Sequence, residues 1–233
     1  MRRSLPRAIR TGLLLAVVLP GCATALRWRA SPIEECPGPL VPVSEIEGDF
    51  VLEQDVRIVE SVEALPAALP MGLRLIVQKR GNELVLIGRA GSLTAFTLVQ
   101  RDREVSVDRK IPLAMPPINW LRDLHRERFL GLDGPAPRDG RRSGEAHGVR
   151  IHERWAEGAL LERRFGAEEA PATRIEYASP VRLESRACGY TSRIATVRFA
   201  PLGTSRAAQR VRASFPLRVL SSDGTTVNET GTL

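Results

Sequence analysis

The strongest constraint on the fold is a succession of short runs in which apolar residues recur at every second position, separated by brief polar gaps. Leu73 to Gln78 alternates, Lys79-Arg80-Gly81-Asn82 is a polar connection containing glycine, and Glu83-Leu84-Val85-Leu86-Ile87-Gly88 is a second short apolar run. Period-two alternation puts every second side chain on one face, so the pair reads as a β-hairpin half-buried against a core. The same reading extends upstream to Phe50–Ile58 and downstream to Leu93–Gln100 and Glu104–Asp108, the last two joined across Arg101-Asp102-Arg103. Strands resume at Val149–Trp155, turn at Glu157-Gly158 and return through Ala159–Phe165. Further runs are Thr173–Ala178, Val181–Ser185 and Tyr190–Phe199.

One segment breaks the pattern. After Pro112, Pro116 and Pro117, the stretch Ile118–Phe129 has Ile118, Leu121 and Leu124 on one helical face, Trp120 beside them, and Arg122, Arg126 and Glu127 opposite. The expectation is an α+β domain over residues 48–220: a strand-rich antiparallel sheet with one helix, followed by a polar tail at 221–233. The helix must bury its apolar edge, and the broad apolar surface on offer is the inner face of the sheet. Trp120 and Leu124 are therefore expected to be buried, with Arg122 and Arg126 solvated. Residues 133–148 (DGPAPRDGRRSGEAHG) read as a polar loop. No internal repeat of 20–50 residues interrupts this organisation.

The N-terminus speaks to compartment. Residues 1–10 carry Arg2, Arg3, Arg7 and Arg10 and no acid, and Thr11–Leu19 is an uncharged run ahead of Pro20-Gly21-Cys22. Nine residues at about 1.5 Å rise cover about half a bilayer core, which suits the apolar region of an export signal and not a spanning helix. Leu19-Pro20-Gly21-Cys22 resembles the lipobox of bacterial lipoprotein signals, with Pro20 replacing the usual small residue. On that reading residues 1–21 are removed and Cys22 carries the lipid, the one prosthetic group expected. Residues 22–47 then form a Pro-rich tether, and the protein sits on the periplasmic face of the outer membrane. The alternative is ordinary cleavage at Ala23-Thr24-Ala25, with Cys22 discarded. Two cysteines remain, Cys36 and Cys188, in a compartment that permits disulfides. They are expected to bridge; two separate thiols are the alternative.

Export also changes the charge argument. The chain has a formal net charge of +7, and the four signal arginines account for four of it, leaving +3. The remaining arginines are interleaved with acids, so no nucleic-acid partner is expected. The three histidines, His125, His147 and His152, belong to no metal-binding spacing, and no Cys-x-x-Cys, Gly-x-Ser-x-Gly or phosphate-cradling glycine loop occurs. Asp123 and His125 are two residues apart, which separates them around a helix. The expectation is a binding protein with no catalytic or metal site.

The segments FVLEQDVRI, LIVQKRGNELVLIG, INWLRDLHRERF, RIHERWAEGALLERRF and GYTSRIATV, in that order, resemble a family of uncharacterised bacterial lipoproteins often found beside aryl-polyene biosynthesis genes. That family is similar to the LolA/LolB-like lipoprotein-carrier superfamily. The resemblance spans about residues 48–199 and implies an unclosed half-barrel whose concave apolar side is covered by helices. It also implies acyl, polyene or lipoprotein cargo in that cavity, delivered at the outer membrane. This sequence departs from the pattern in offering one helix where a full lid needs more. The cavity and lid candidates are Phe96, Ile118, Trp120, Leu121 and Leu124; for each, plain core packing is the competing role. A membrane-anchored assembly protein that binds another protein and holds no lipid is the competing function. A large apolar pocket would favour the carrier, a filled core the assembly protein.

Overall fold

A computed structural model of the chain describes residues 33–61 and 71–202. The signal segment, Cys22, the first part of the tether and the tail at 221–233 lie outside the described residues. The described chain contains eleven strands in one antiparallel sheet, ordered β5-β4-β3-β2-β1-β11-β10-β9-β8-β7-β6. They are β1 (Asp49–Ser61), β2 (Gly72–Arg80), β3 (Glu83–Ala90), β4 (Leu93–Arg101), β5 (Glu104–Arg109), β6 (Gly140–Ala146), β7 (Val149–Ala156), β8 (Ala159–Gly166), β9 (Pro171–Glu176), β10 (Val181–Ser185) and β11 (Tyr190–Leu202). The architecture is the expected α+β one: an unclosed half-barrel with a small helical cover.

Two meanders build it, β1–β5 and β6–β11, joined where the long strands β1 and β11 pair from Asp49↔Leu202 to Ser61↔Tyr190. Each meander starts or ends at a free edge, β5 on one side and β6 on the other. The connection between them therefore has to travel from one edge of the sheet to the opposite edge. It carries the helix α1 (Pro117–Leu124), which runs directly into a π-helical turn at His125–Phe129. Pro117 starts α1 at a position where its missing N–H costs nothing.

Alternation decides which face is covered. Along β1, Phe50, Leu52, Gln54, Val56 and Ile58 are buried, and along β2, Leu73, Leu75, Val77 and Lys79. Leu84 and Leu86 of β3, Phe96 and Leu98 of β4, Ile151 of β7, Ile175 of β9, Leu183 of β10 and Ile194 of β11 join them in one core cluster. Each such side chain contributes about 1.5–3 kcal/mol on leaving water. Irregularities in the ladders at Glu53/Gln54, Ile58/Glu60, Gly88/Arg89 and Arg154/Trp155 add twist and help the sheet curl. At Gly88 a Cβ would lie 2.2 Å from the Phe96 ring, so the absence of a side chain lets Phe96 lie against the strand. The β6–β7 turn at His147-Gly148 and the β7–β8 turn at Glu157-Gly158 have positive φ at both residues, the handedness that matches strand twist in two-residue hairpins.

Three expectations need correction. Residues 133–148, expected as a loop, contain β6, which the alternating pattern misses because Gly140–Ala146 has few apolar side chains and its register comes from β7. The tether expected at 22–47 is no tether from Ile33 onward: Ile33, Cys36, Val41, Val43 and Ile46 are buried in the core. Finally, Arg126 is buried and Arg122 half-buried, although both were expected in solvent. Residues 33–47 lie against the helix and cover the face that would otherwise carry them outward.

Candidate functional site

The site suggested by the sequence is the inner face under α1. Trp120, Leu121, Leu124 and Phe96 are there, none more than 2% exposed, with Ile118 partly buried against the same cluster. The structure brings all five together, and it packs them into the core of the protein. Phe50 stacks at a tilt on Phe129 and Phe199, with centroids 6.0 and 5.7 Å away, filling the space between the π turn and the sheet.

The cover is held from above by residues 33–47, which form a strap. Asn119 accepts the Cys36 N–H at 2.8 Å and donates to the Glu34 carbonyl at 2.7 Å. Arg122 donates to the Cys36 carbonyl and pairs with Glu35 at 2.9 Å; Arg126 donates to the Pro37 carbonyl. Cys36 is bridged to Cys188, with Cα atoms 5.7 Å apart, so the strap is also tied covalently to the turn before β11. Farther along, Val43 N–H donates to the Asp102 carbonyl at 3.3 Å in the β4–β5 turn, and Glu45 lies 3.4 Å from His147 in the β6–β7 turn. The strap thus reaches from one meander to the other across the open side of the half-barrel.

Beneath it runs a chain of buried polar groups that sequence reasoning missed. Asp123 pairs with Arg126 at 3.0 Å and accepts the Tyr190 hydroxyl at 2.6 Å. Burial pushes the Asp123 carboxyl up to about 6 against the pull of Arg126 and Tyr190, and pushes the Tyr190 phenol well above its ordinary value. His125 accepts the Val41 N–H on Nδ1 at 3.0 Å and lies 2.9 Å from the Gln100 Oε1 through Nε2. An Nδ1 that accepts must be unprotonated, which makes Nε2 the protonated nitrogen. Burial lowers the His125 pKa to about 3, with His147 adding to the effect. As the two-residue spacing implies, Asp123 and His125 are both buried but have separate partners, Arg126 and Tyr190 for the one and Val41 and Gln100 for the other.

A second cluster lies toward the β6–β9 side. Gln54 donates to Glu127 at 2.8 Å, and Glu127 pairs with Arg128 at 2.8 Å. Arg163 donates to the Arg126 carbonyl at 3.2 Å and pairs with Glu153 at 2.9 Å; Arg142 reaches the same carboxylate at 2.6 Å. Burial alone would raise the Glu153 pKa, but Arg163 and Arg142 outweigh it and hold the carboxyl below its ordinary value. These charges anchor the end of the cover. They are paired with one another, which suits holding an element in place better than meeting a substrate. Among the described residues no group of His, Cys, Asp or Glu is arranged to hold a metal, and no helix is long and apolar enough to cross a membrane.

No family model matches the chain. No curated protein matches it. Among solved structures, the chain is similar to the crystal structure of a DUF1329 family protein from Desulfovibrio piger ATCC 29098, at 14% identity and a TM-score of 0.28, over 74% of this chain and 93% of that one. So low a score carries no argument, and the likeness to the lipoprotein-carrier superfamily rests on the sequence segments alone.

Proposed function

We propose that this chain is a lipid-anchored protein of the bacterial envelope, attached through Cys22, whose covered half-barrel binds a partner at its surface and carries no lipid inside. The observation that supports this reading is the filled inner face. Phe96, Trp120, Leu121 and Leu124 pack as core, and the helix that would have to lift is bonded to the sheet through Asp123–Tyr190, Glu127–Gln54 and the Arg126 carbonyl–Arg163, beneath a strap tied by a disulfide. Admitting an acyl chain would mean breaking the buried hydrogen bonds of Tyr190 to Asp123 and of Gln54 to Glu127, and a hydrogen bond to a charged group contributes about 1.5–3 kcal/mol.

The second reading, a carrier of acyl, polyene or lipoprotein cargo, has the half-barrel shape itself in its favour. The π turn at His125–Phe129 is also a feature that often marks functional positions in helices. Native mass spectrometry of the full chain, purified from a bacterial envelope in non-ionic detergent, separates the two. The surface-binding reading expects the polypeptide plus its covalent lipid and no other acyl species. A non-covalent acyl or polyene-acid adduct in stoichiometric amount would overturn it in favour of the carrier.

A further inference from the structure

The face of the sheet turned away from the core carries an unusual arrangement of charge. Strand register sets Arg182, Arg193 and Arg57 side by side on β10, β11 and β1, and sets Arg74 directly opposite Arg89 on β2 and β3. Like charges directly opposite in a ladder repel, so such a row needs compensation. Part of it is supplied within the protein. Asp55 holds Arg74 through both oxygens, at 2.9 and 3.1 Å, and Glu60 pairs with Arg182 at 3.4 Å. Among the described residues Arg57 and Arg193 have no carboxylate partner, and Arg89 donates to the Ser92 carbonyl at 3.3 Å.

Those three guanidinium groups, together with the Asp55–Arg74 pair, border a groove of about 710 Å³. Gly72, directly opposite Arg57, lines it without adding a side chain. With Asp55 neutralising Arg74, the groove presents three positive charges on rigid neighbouring strands and no unspent carboxylate among its lining residues. A guanidinium is a planar fork of donors whose geometry matches phosphate oxygens, and it never loses its charge. We infer that this groove is a binding site for a phosphate group, either free or as the headgroup of an anionic phospholipid. The inference stands whether or not the inner face ever holds lipid.

Isothermal titration of the full chain in non-ionic detergent tests it, with two probes: inorganic phosphate, and dihexanoyl phosphatidylglycerol below its micelle concentration. Dihexanoyl phosphatidylcholine serves as the zwitterionic reference. The pair Arg57→Gln/Arg193→Gln should weaken binding by about tenfold or more, the loss expected when charge-assisted hydrogen bonds go. The pair Arg103→Gln/Arg150→Gln, equal in charge change but outside the groove, should leave binding unchanged. Arg89→Gln alone should also weaken it, and supplies the answer if the double variant folds poorly by circular dichroism. Binding of phosphatidylglycerol without phosphate assigns a lipid headgroup, and binding of phosphate with equal affinity assigns the free anion. Absence of binding by both probes, binding of phosphatidylcholine as tight as phosphatidylglycerol, or equal weakening by the control pair would overturn the proposal.

Discussion

His125 ties the strap to the sheet, and its protonation should be what releases it. The ring accepts from Val41 on Nδ1 and reaches Gln100 on Nε2, so a proton added at Nδ1 would face the Val41 N–H across 3.0 Å and destroy that bond. Its folded-state pKa of about 3 lies below the ordinary value of 6.5. A depressed histidine contributes stability that is present above pH 6.5 and is lost as the pH falls toward 3, because the unfolded chain takes the proton first. Between pH 7 and pH 4.5 the linked loss is on the order of 2–3 kcal/mol. Asp123, with its pKa raised to about 6, acts with the opposite sign: its contribution grows as the pH falls through 6 toward 3.8. Comparison with His125→Phe removes the Asp123 effect, since both proteins retain it. At pH 7 the variant should be about 2–4 kcal/mol less stable, having left the Val41 N–H and the Gln100 Oε1 without their partner. Between pH 7 and 4.5 it should lose less than the parent, by on the order of 2–3 kcal/mol. Urea denaturation followed by tryptophan fluorescence, with the disulfide intact, measures both quantities. Equal losses in the two proteins would refute the role given to His125.

Replacing Cys36 and Cys188 together by serine should lower stability by about 5 kcal/mol in the chain-entropy model for a separation of 152 residues, read as a difference in denaturation midpoint that disappears when the parent is reduced. Gly88→Ala should cost about 1–3 kcal/mol by overpacking against Phe96, and Phe96→Leu in the same chain should recover part of that loss in thermal denaturation. Cys22→Ser should leave an unprocessed precursor that takes up no palmitate analogue in growing cells; normal processing of that variant would remove the lipid anchor from the proposed function.

The strands were legible because their apolar residues alternate, and this is a property of the local sequence. Leu73–Gln78 falls inside β2 for that reason, and Glu83–Gly88, a short apolar run behind a polar turn, falls inside β3. The pairing of β1 with β11 is a different matter. Their residues are far apart in the chain, and nothing in either segment names the other, although the pair determines that β5 and β6 become the free edges. β6 was missed on the same principle. Its sequence, GRRSGEA, is an edge strand rich in charge, a composition that discourages pairing with other chains and also hides the strand from an apolar pattern.

The polar interior was half visible. Gln54 follows Phe50 and Leu52 at inward positions of β1, Gln100 follows Leu98 on β4, and Glu153 follows Ile151 on β7. A polar residue at an inward position should prompt a search for its partner, because burial without one is costly. The partners here, Glu127, His125 and Arg163, lie 73, 25 and 10 residues along the chain, and two of them are on the helical segment. Reading Arg122 and Arg126 as the solvated side of an amphipathic helix failed because the strap was assumed to leave the domain. Once residues 33–47 fold back, that side of α1 faces backbone carbonyls of Cys36 and Pro37, and arginine is the side chain that can satisfy them. The helix is therefore buried on both sides, by apolar packing below and by ion pairs and carbonyls above. That double burial makes the small helical lid a fastened one.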